Sequence, residues 1–378
     1  MNMRNILTFI LLISFFVSCT VKHTNPFKGE TLNVDLNTQN SIRFDDLFSK
    51  IEIIPLETHD SCCLIMNIDK ISLCNEQLYV FDQIRPSLFV FDQKGQFVKQ
   101  ISRMGNGPGE YQAISDVAIE DNNIALLSPF GSVLFYDVKG KFVEQKALPV
   151  KPNYYSLSHM ENGNWVFWSC VEKEEAGISV VESDSMKLVY DTWYNDRMLD
   201  MGLMKPFYQY NKTSYFGSAY QNIIYKVGTD SLEVAYQWNF GNKNIDKNKL
   251  LAYSLIENGN ERNNRILDDL ENGILPFSME NHNQNKQYYY VALKKGVGIS
   301  RPWINVFYRK VDGKTFVFDK IDEGIKVCPI VFTDEYLISV LSFDDIDMYK
   351  KILSNEEFSK LNQKKEDENP CLVKLYFK

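Results

Sequence analysis

Apolar residues along most of this chain occur in short runs, separated by turns rich in Asp, Asn and Gly. The pattern is clearest where one segment occurs twice, as Leu88–Gln100 (LFVFDQKGQFVKQ) and Val133–Gln145 (VLFYDVKGKFVEQ). Each copy has two apolar runs around an Asp-x-Lys-Gly turn. Asp can bond to the turn backbone, and Gly95 or Gly140 accepts the positive φ that closes it. Each copy therefore predicts a β-hairpin.

The two hairpins are offset by about 45 residues, the repeat length of four-stranded propeller blades. Other apolar runs extend this plan along the chain. The predicted strands beside the two hairpins are Ile71–Leu73, Gln77–Asp82, Asp116–Ile119, Asn123–Leu127, Trp165–Trp168, Ile178–Val181, Lys187–Tyr190, Ser214–Phe216, Asn222–Val227, Leu232–Tyr236, Gln287–Ala292, Trp303–Tyr308, Thr315–Phe318, Ile330–Phe332 and Tyr336–Val340. They predict an all-β fold, a six-bladed β-propeller of four-stranded antiparallel blades over residues 46–378.

One stretch, residues 242–285, departs from this pattern because it is polar and rich in Asn. Its apolar residues fall at helical spacing: Leu250, Leu251, Leu255, Ile266, Leu267 and Leu270. We therefore expect a short helical insertion, either a lid over a ligand site or a solvated excursion. A further helix is predicted from Ser354 to Lys364.

The two ends of the chain are expected to close the ring. A propeller must join its last blade to its first, or an open sheet edge remains. Ile51–Leu56 and Leu372–Phe377 both have strand character. We predict that one of them completes a blade supplied mostly by the opposite end of the chain.

The first residues indicate export. Residues 1–18 combine Arg4 with an apolar run from Ile6 to Val17, too short to span a membrane but typical of a signal peptide. Ser18 and Cys19 resemble a bacterial lipoprotein cleavage box, which predicts lipid on Cys19 and a polar tether over residues 19–45. An ordinary signal peptide followed by an incidental cysteine is the alternative.

The loop Arg103–Tyr111 (RMGNGPGEY), directly after the first hairpin, resembles the six-bladed β-propeller lipoproteins of Bacteroidetes, whose propellers are NHL- or TolB-like. The later segments Asn222–Val227, Tyr236–Gly241 and the ending that starts at Asn369 are similar to the same family. The resemblance covers residues 50–378. It implies a propeller fold and an envelope location, and it carries over no catalytic residues.

The sequence after Cys19 refines the expected location. Surface-exported lipoproteins of Bacteroidetes often carry acidic residues just after the cysteine, and this chain has none there. Thr20, rather than Asp, argues against retention in the inner membrane. We therefore expect an outer-membrane lipoprotein that faces the periplasm.

The composition limits the classes of partner that we expect for this chain. The formal net charge is −8 and no basic stretch is present, so nucleic acid is not an expected partner, since cations on phosphates dominate that affinity. The cysteines beyond Cys19 show irregular spacing without a CxxC pair, which favours small buried residues over a metal site. A disulfide and a metal site at Cys62–Cys63 stay open. No cofactor is predicted.

Candidate ligand-binding residues follow from position, since loops between blades crowd one end of the axis. They are Arg85, Arg103, Glu110, Tyr111 and Arg301. Arg85 and Arg301 each precede a Pro, and paired arginines can hold a carboxylate or a sugar acid; surface ion pairs are the alternative. The glycine loop is interpreted as a turn rather than a phosphate site, with Tyr111 packed and Glu110 paired with Arg103. Pro108 removes a donor there, and no helix is expected after it.

Two functions fit this pattern. The leading hypothesis is a non-enzymatic binding or scaffold module for a protein, peptide or glycan. The alternative is a metal-dependent hydrolase or lyase in the central channel, with a divalent ion held by acids such as Asp82 and Asp116. No GxSxG motif is present, and the four histidines are scattered.

Overall fold

The structure, a computed structural model, describes residues 29–37, 41–58, 64–120, 122–149, 153–169, 177–193, 205–298 and 303–378. Within these residues the chain forms six sheets, each built on four antiparallel strands and arranged as the blades of a propeller. Blades one to three are β3 (Lys70–Cys74), β4 (Gln77–Asp82), β5 (Ser87–Asp92), β6 (Phe97–Ile101); β7 (Asp116–Glu120), β8 (Asn123–Ser128), β9 (Ser132–Asp137), β10 (Phe142–Ala147); and β11 (Tyr154–His159), β12 (Trp165–Ser169), β13 (Gly177–Val181), β14 (Leu188–Trp193).

Blades four to six follow in chain order, together with two strands, β1 (Glu30–Asn33) and β2 (Phe48–Pro55), that precede blade one. Their strands are β15 (Phe207–Tyr210), β16 (Thr213–Gly217), β17 (Ile223–Val227), β18 (Leu232–Asn239); β19 (Ser278–Gln284), β20 (Tyr288–Lys294), β21 (Trp303–Arg309), β22 (Thr315–Phe318); and β23 (Pro329–Phe332), β24 (Tyr336–Leu341), β25 (Cys371–Phe377). The predicted six-bladed propeller is confirmed.

Helices are few among the described residues. They are α1 (Phe44–Leu47), α2 (Lys247–Ser254), α3 (Gly259–Glu271), α4 (Asn355–Leu361) and the 3₁₀ helices Gly241–Lys243 and Phe343–Lys351. The predicted helix after Ser354 is confirmed as α4, and Ser354 caps it by accepting a hydrogen bond from the Glu357 amide.

The repeated turns have the expected geometry. Asp92 Oδ1 accepts hydrogen bonds from the amides of Lys94 and Gln96, and Asp137 Oδ1 does the same in the second copy. Gly95 and Gly140 adopt φ of +83° and +86°, values that favour glycine. The same local chemistry therefore builds the outer hairpins of blades one and two.

The ring is closed by both chain ends. Strand β2 pairs antiparallel with β25, from Phe48 opposite Phe377 to Pro55 opposite Cys371, and β25 pairs with β24 on its other side. Strand β2, from the N-terminal part of the chain, is therefore the outermost strand of blade six. This confirms the predicted closure. Hydrogen bonds between β2 and β25 join two parts of the chain that are distant in the sequence.

The start of the described chain is held against the propeller. Strand β1 adds to blade four as a fifth strand, parallel to β18, although the sequence suggested a free tether through residue 45. Farther on, Ser41 bonds to Asp322 and the Asp322 amide donates to the Ile42 carbonyl at 2.8 Å. Residues 30–33 therefore lie on blade four, and residues 41 and 42 lie next to Asp322, between blades five and six, ahead of β2.

The first strands of the blades surround the axis. β3, β7, β11, β15 and β19 lie side by side in that order, and β23 adjoins β3. Asn281 Nδ2 of β19 donates to the Pro329 carbonyl of β23 at 2.6 Å, which links the remaining neighbours. Because strands alternate in direction, one end of the ring, here called the connector face, carries all links between blades and the loops between second and third strands.

The insertion is shorter and better packed than predicted. Its helices α2 and α3 bury Leu250, Ile266 and Leu270 against Ala219 and Tyr220 of blade four. Residues 278–284, included in the predicted insertion, form strand β19 instead. The insertion is therefore a packed helical element on the connector face rather than a solvated excursion.

Candidate functional site

A buried carboxylate joins three blades where the channel opens on the connector face. Asp116, at the start of β7, has no exposed surface. Its Oδ1 lies 3.0 Å from Lys70 Nζ of blade one. Its Oδ2 accepts from Ser156 Oγ at 2.9 Å and from the Leu157 amide at 3.1 Å, both in blade three. Lys70 also donates to the Val117 carbonyl at 2.7 Å.

A second lysine reaches across the channel mouth. Lys205 precedes blade four, yet its Nζ lies 3.3 Å from the carbonyl of Asp69 and 5.2 Å from the Phe81 ring centroid, both in or next to blade one. Blades one and four are opposite each other in a ring of six. Burial lowers the pKa of Lys205, and the repulsion from Lys70 acts in the same direction, while Asp116 and Asp69 oppose it.

Beside Lys205, a tight turn projects an apolar and a basic side chain. Asp82, which is fully buried, accepts hydrogen bonds from the amides of Met66, Ile84 and Arg85 at 2.7–3.1 Å. Ile84 is 66% exposed and Met66 is 52% exposed. Arg85 is also exposed. The buried carboxylate thus fixes the backbone from which three solvent-facing side chains extend.

The turn is tied to the lysine through Asp69. The Gln83 amide donates to Asp69 Oδ2 at 2.7 Å, and the Asp69 carbonyl accepts from Lys205. We name Met66, Ile84, Arg85 and Lys205 the mouth patch. It combines two exposed aliphatic side chains with two cations at the channel opening.

The predicted glycine loop lies against β9 and β10, the two outer strands of blade two, with Gly109 next to the Phe142 ring. Tyr136 Oη donates to the Gly109 carbonyl there. Glu110 Oε2 accepts a hydrogen bond from the Gly107 amide at 2.8 Å, within the same loop. The predicted pairing of Glu110 with Arg103 is therefore wrong. Arg103 Nη2 approaches the Gly140 carbonyl at 3.5 Å.

Tyr111 is buried, as expected for a packing residue. Its hydroxyl donates to the Pro86 carbonyl at 2.8 Å and accepts from the Arg103 amide at 3.2 Å. Of the predicted ligand-binding residues, the structure therefore brings Tyr111 next to the Arg85–Pro86 turn, but as a support. Cys19, Cys62, Cys63 and Arg301 lie outside the described residues, so the lipid anchor and the Arg85–Arg301 pair stay predictions.

The acids named for a channel enzyme are engaged in structural bonds. Asp82 holds three backbone amides, and Asp116 holds Lys70, Ser156 and the amides of Val117 and Leu157. Among the residues that the structure describes, no group of three or more His, Cys, Asp or Glu side chains lies close enough to share a metal ion.

Lys205, Met66 and Ile84 were not among the predicted site residues. Lys205 lies outside any apolar run, and only ring closure brings it to blade one. Ile84 did carry a signal, because it is an aliphatic residue in an otherwise polar turn after Asp82. No helix in the described part of the chain is long and apolar enough to cross a membrane.

Comparison with solved structures agrees with the fold. A crystal structure of a Bacteroides fragilis protein described as exported superposes with a TM-score of 0.70 at 19% identity, covering 92% of this chain and 99% of that one. A DUF4221 family member from Bacteroides vulgatus gives a TM-score of 0.54 at 13% identity, covering 90% and 99%. At these identities the likeness concerns the fold alone.

No curated protein matches the chain. A family model, by contrast, matches residues 30–376, which includes β1 and all six blades. The resemblance to a propeller family of Bacteroidetes is thereby confirmed. The chain belongs to the family described as Domain of unknown function (DUF4934).

Proposed function

We propose that the protein is a binding or scaffold module of the bacterial envelope, which presents its connector face to a protein, peptide or glycan. Lipid on Cys19 anchors it in the outer membrane, with the propeller on the periplasmic side. No catalytic role is assigned to any residue. The propeller supplies a rigid ring, and loops on a rigid scaffold are where binding residues concentrate.

The observation that carries this proposal is the mouth patch. Single exposed apolar residues are normal on any protein, but Met66 and Ile84 depend on the same buried carboxylate, Asp82. A backbone that is already fixed loses little conformational freedom on binding, which favours affinity. Arg85 and Lys205 add charge beside them.

Photo-crosslinking in cells tests the binding role. A benzoylphenylalanine at position 84 should give discrete adducts, because a bound partner covers the mouth patch. The same residue at position 212, in the exposed turn between β15 and β16 on the opposite face, is the control. Adducts from position 212 with none from position 84 would overturn the proposal.

Lipid labelling tests the anchor. The wild-type chain should incorporate an alkyne-tagged fatty acid and sediment with outer membranes, while Cys19→Ser should lose both properties. A Cys19→Ser chain that keeps the label and stays with the membrane would refute lipidation at this residue.

A further inference from the structure

We infer that the mouth patch binds a peptide segment of a partner protein in which a carboxylate stands beside an apolar side chain. This inference rests on the proposed binding function and adds the site and the class of ligand. It is carried by the hydrogen-bonding capacity that the two cations retain and by the exposed aliphatic side chains whose backbone amides, like that of Arg85, bond to Asp82.

Lys205 has more donors than partners. An ammonium group offers three N–H donors, and among the residues that the structure describes this one has a single hydrogen bond, at 3.3 Å to a carbonyl. The protein around Lys205 excludes water from the ammonium group and does not replace all of the hydrogen bonds that water would make. Burial therefore lowers the pKa of Lys205. A carboxylate at the mouth would supply both the missing acceptor and a compensating charge.

The neighbouring acids do not take this role. The carboxylate oxygens of Asp116 already accept hydrogen bonds from Lys70, a serine hydroxyl and two backbone amides. The carboxylate of Asp69 accepts from Asn67 Nδ2 at 2.8 Å and from the Gln83 amide at 2.7 Å. The Lys205 ammonium therefore keeps donors for an anion that comes from outside the chain.

Arg85 supplies a second, adaptable cation. Its guanidinium has five donors and, within the described part of the chain, makes one hydrogen bond, at 3.3 Å to the Leu64 carbonyl. The side chain is exposed, so it can turn toward a ligand carboxylate without unfolding anything. Two such cations at one opening favour an acidic ligand over a basic one.

The aliphatic groups favour a peptide over other anions. Ile84 and Met66 offer apolar area to a leucine-like side chain, and Met adapts to different shapes. A nucleic acid would need many more cations than two. A sugar acid would gain from an exposed aromatic platform, whereas Phe81, the ring under Lys205, is only 1% exposed.

The test uses a phage-displayed library of random dodecapeptides, selected against the full chain purified in detergent. Peptides enriched by the wild type should carry Asp or Glu next to Leu, Ile, Met or Phe. Their binding should weaken with added salt, because partly exposed ion pairs are screened. Counter-selection against Ile84→Ser should leave these peptides in the pool, because they should not bind that variant.

Charge variants identify the site. Arg85→Glu should weaken a selected peptide by about tenfold, since it turns an attraction into a repulsion. Lys205→Gln removes the charge and shortens the side chain by one atom, and we expect a loss of about three- to tenfold. Lys212→Glu, the same change of sign on the opposite face, should bind as the wild type does. Thermal melting of each variant shows that the propeller is still folded.

The outcomes separate the inference from the proposed function. Enriched peptides without acidic residues, or peptides that bind Arg85→Glu and Ile84→Ser as well as the wild type, overturn the inference. If crosslinks from position 84 persist in that case, the binding role stands and only the ligand class is wrong. If no site-dependent peptide is selected and no crosslink forms from position 84, both the inference and the proposed binding function are overturned.

Discussion

Acidification should destabilise this propeller through one buried histidine. His282 lies in β19 with 4% of its surface exposed, and its ring contacts Gly217 at the end of β16 in blade four. Burial lowers the pKa of His282 from 6.5 to about 4, and only the nearby Ser218 backbone opposes this effect. The folded chain therefore holds a neutral imidazole between two blades.

The sign of the effect follows from proton uptake. Unfolding returns the pKa of His282 to about 6.5, so between pH 6.5 and about 4 the unfolded chain binds a proton that the folded chain does not. The contribution of His282 to stability is complete above pH 6.5 and is lost as the pH falls to about 4. The gap between the two pKa values corresponds to about 3 kcal/mol at room temperature.

Urea unfolding, followed by tryptophan fluorescence, measures this contribution. The comparison is between the wild type and His282→Gln from about pH 7.5 down to about pH 4. The two proteins share every Asp and Glu, so the acid titration of carboxylates cancels in the difference. The wild type should lose about 3 kcal/mol more than the variant over this range.

The absolute stability of His282→Gln does not decide the matter, because a glutamine in this site changes the packing at every pH. The decisive quantity is the pH dependence of the difference. Parallel stability curves over the whole range would refute the reasoning. They would mean that His282 is protonated in the folded state or that water reaches it.

Three further changes test the packing and the closure. Gly217→Ala should cost about 1–3 kcal/mol in urea unfolding, because the new Cβ would lie 2.5 Å from His282 Cδ2; an unchanged midpoint would contradict this contact. Asp116→Asn should cost about 1–3 kcal/mol by the same assay, since it removes the charge partner of Lys70 inside the ring, and equal stability would mean that the Lys70–Asp116 ion pair does not stabilise the fold. Deleting residues 370–378 removes β25 and should abolish cooperative thermal unfolding, whereas a truncated chain that melts like the parent would contradict the closure.

The sequence predicted the outer parts of the blades better than the inner ones. The hairpins after Leu88 and Val133 were recognised because their apolar runs and Asp-x-Lys-Gly turns repeat. The inner strands β11, β15 and β19 were missed or assigned elsewhere. Strand β19 shows why, since its sequence, SMENHNQ, contains little that a strand pattern would detect.

Polar side chains are stable in β19 because the ring provides their partners. Asn281 bonds to the Pro329 carbonyl of blade six, and Gln284 bonds to Tyr208 of blade four and accepts from Lys310 at 2.9 Å. These partners are distant in the sequence and come together only when the blades are in place. Local hydrophobic periodicity therefore carries no information about such a strand.

The same reason limits what the sequence could say about the site. Arg85 was predicted from its position in a loop, but the residue that gives the mouth patch its unsatisfied charge is Lys205, which belongs to the opposite blade. Its hydrogen bond to Asp69 spans the channel opening, so the pairing exists only in the closed ring. The closure by β2 and β25 thus stabilises the fold and also assembles the patch. Any substitution that loosens this closure should weaken peptide binding even where it leaves Arg85 and Ile84 untouched.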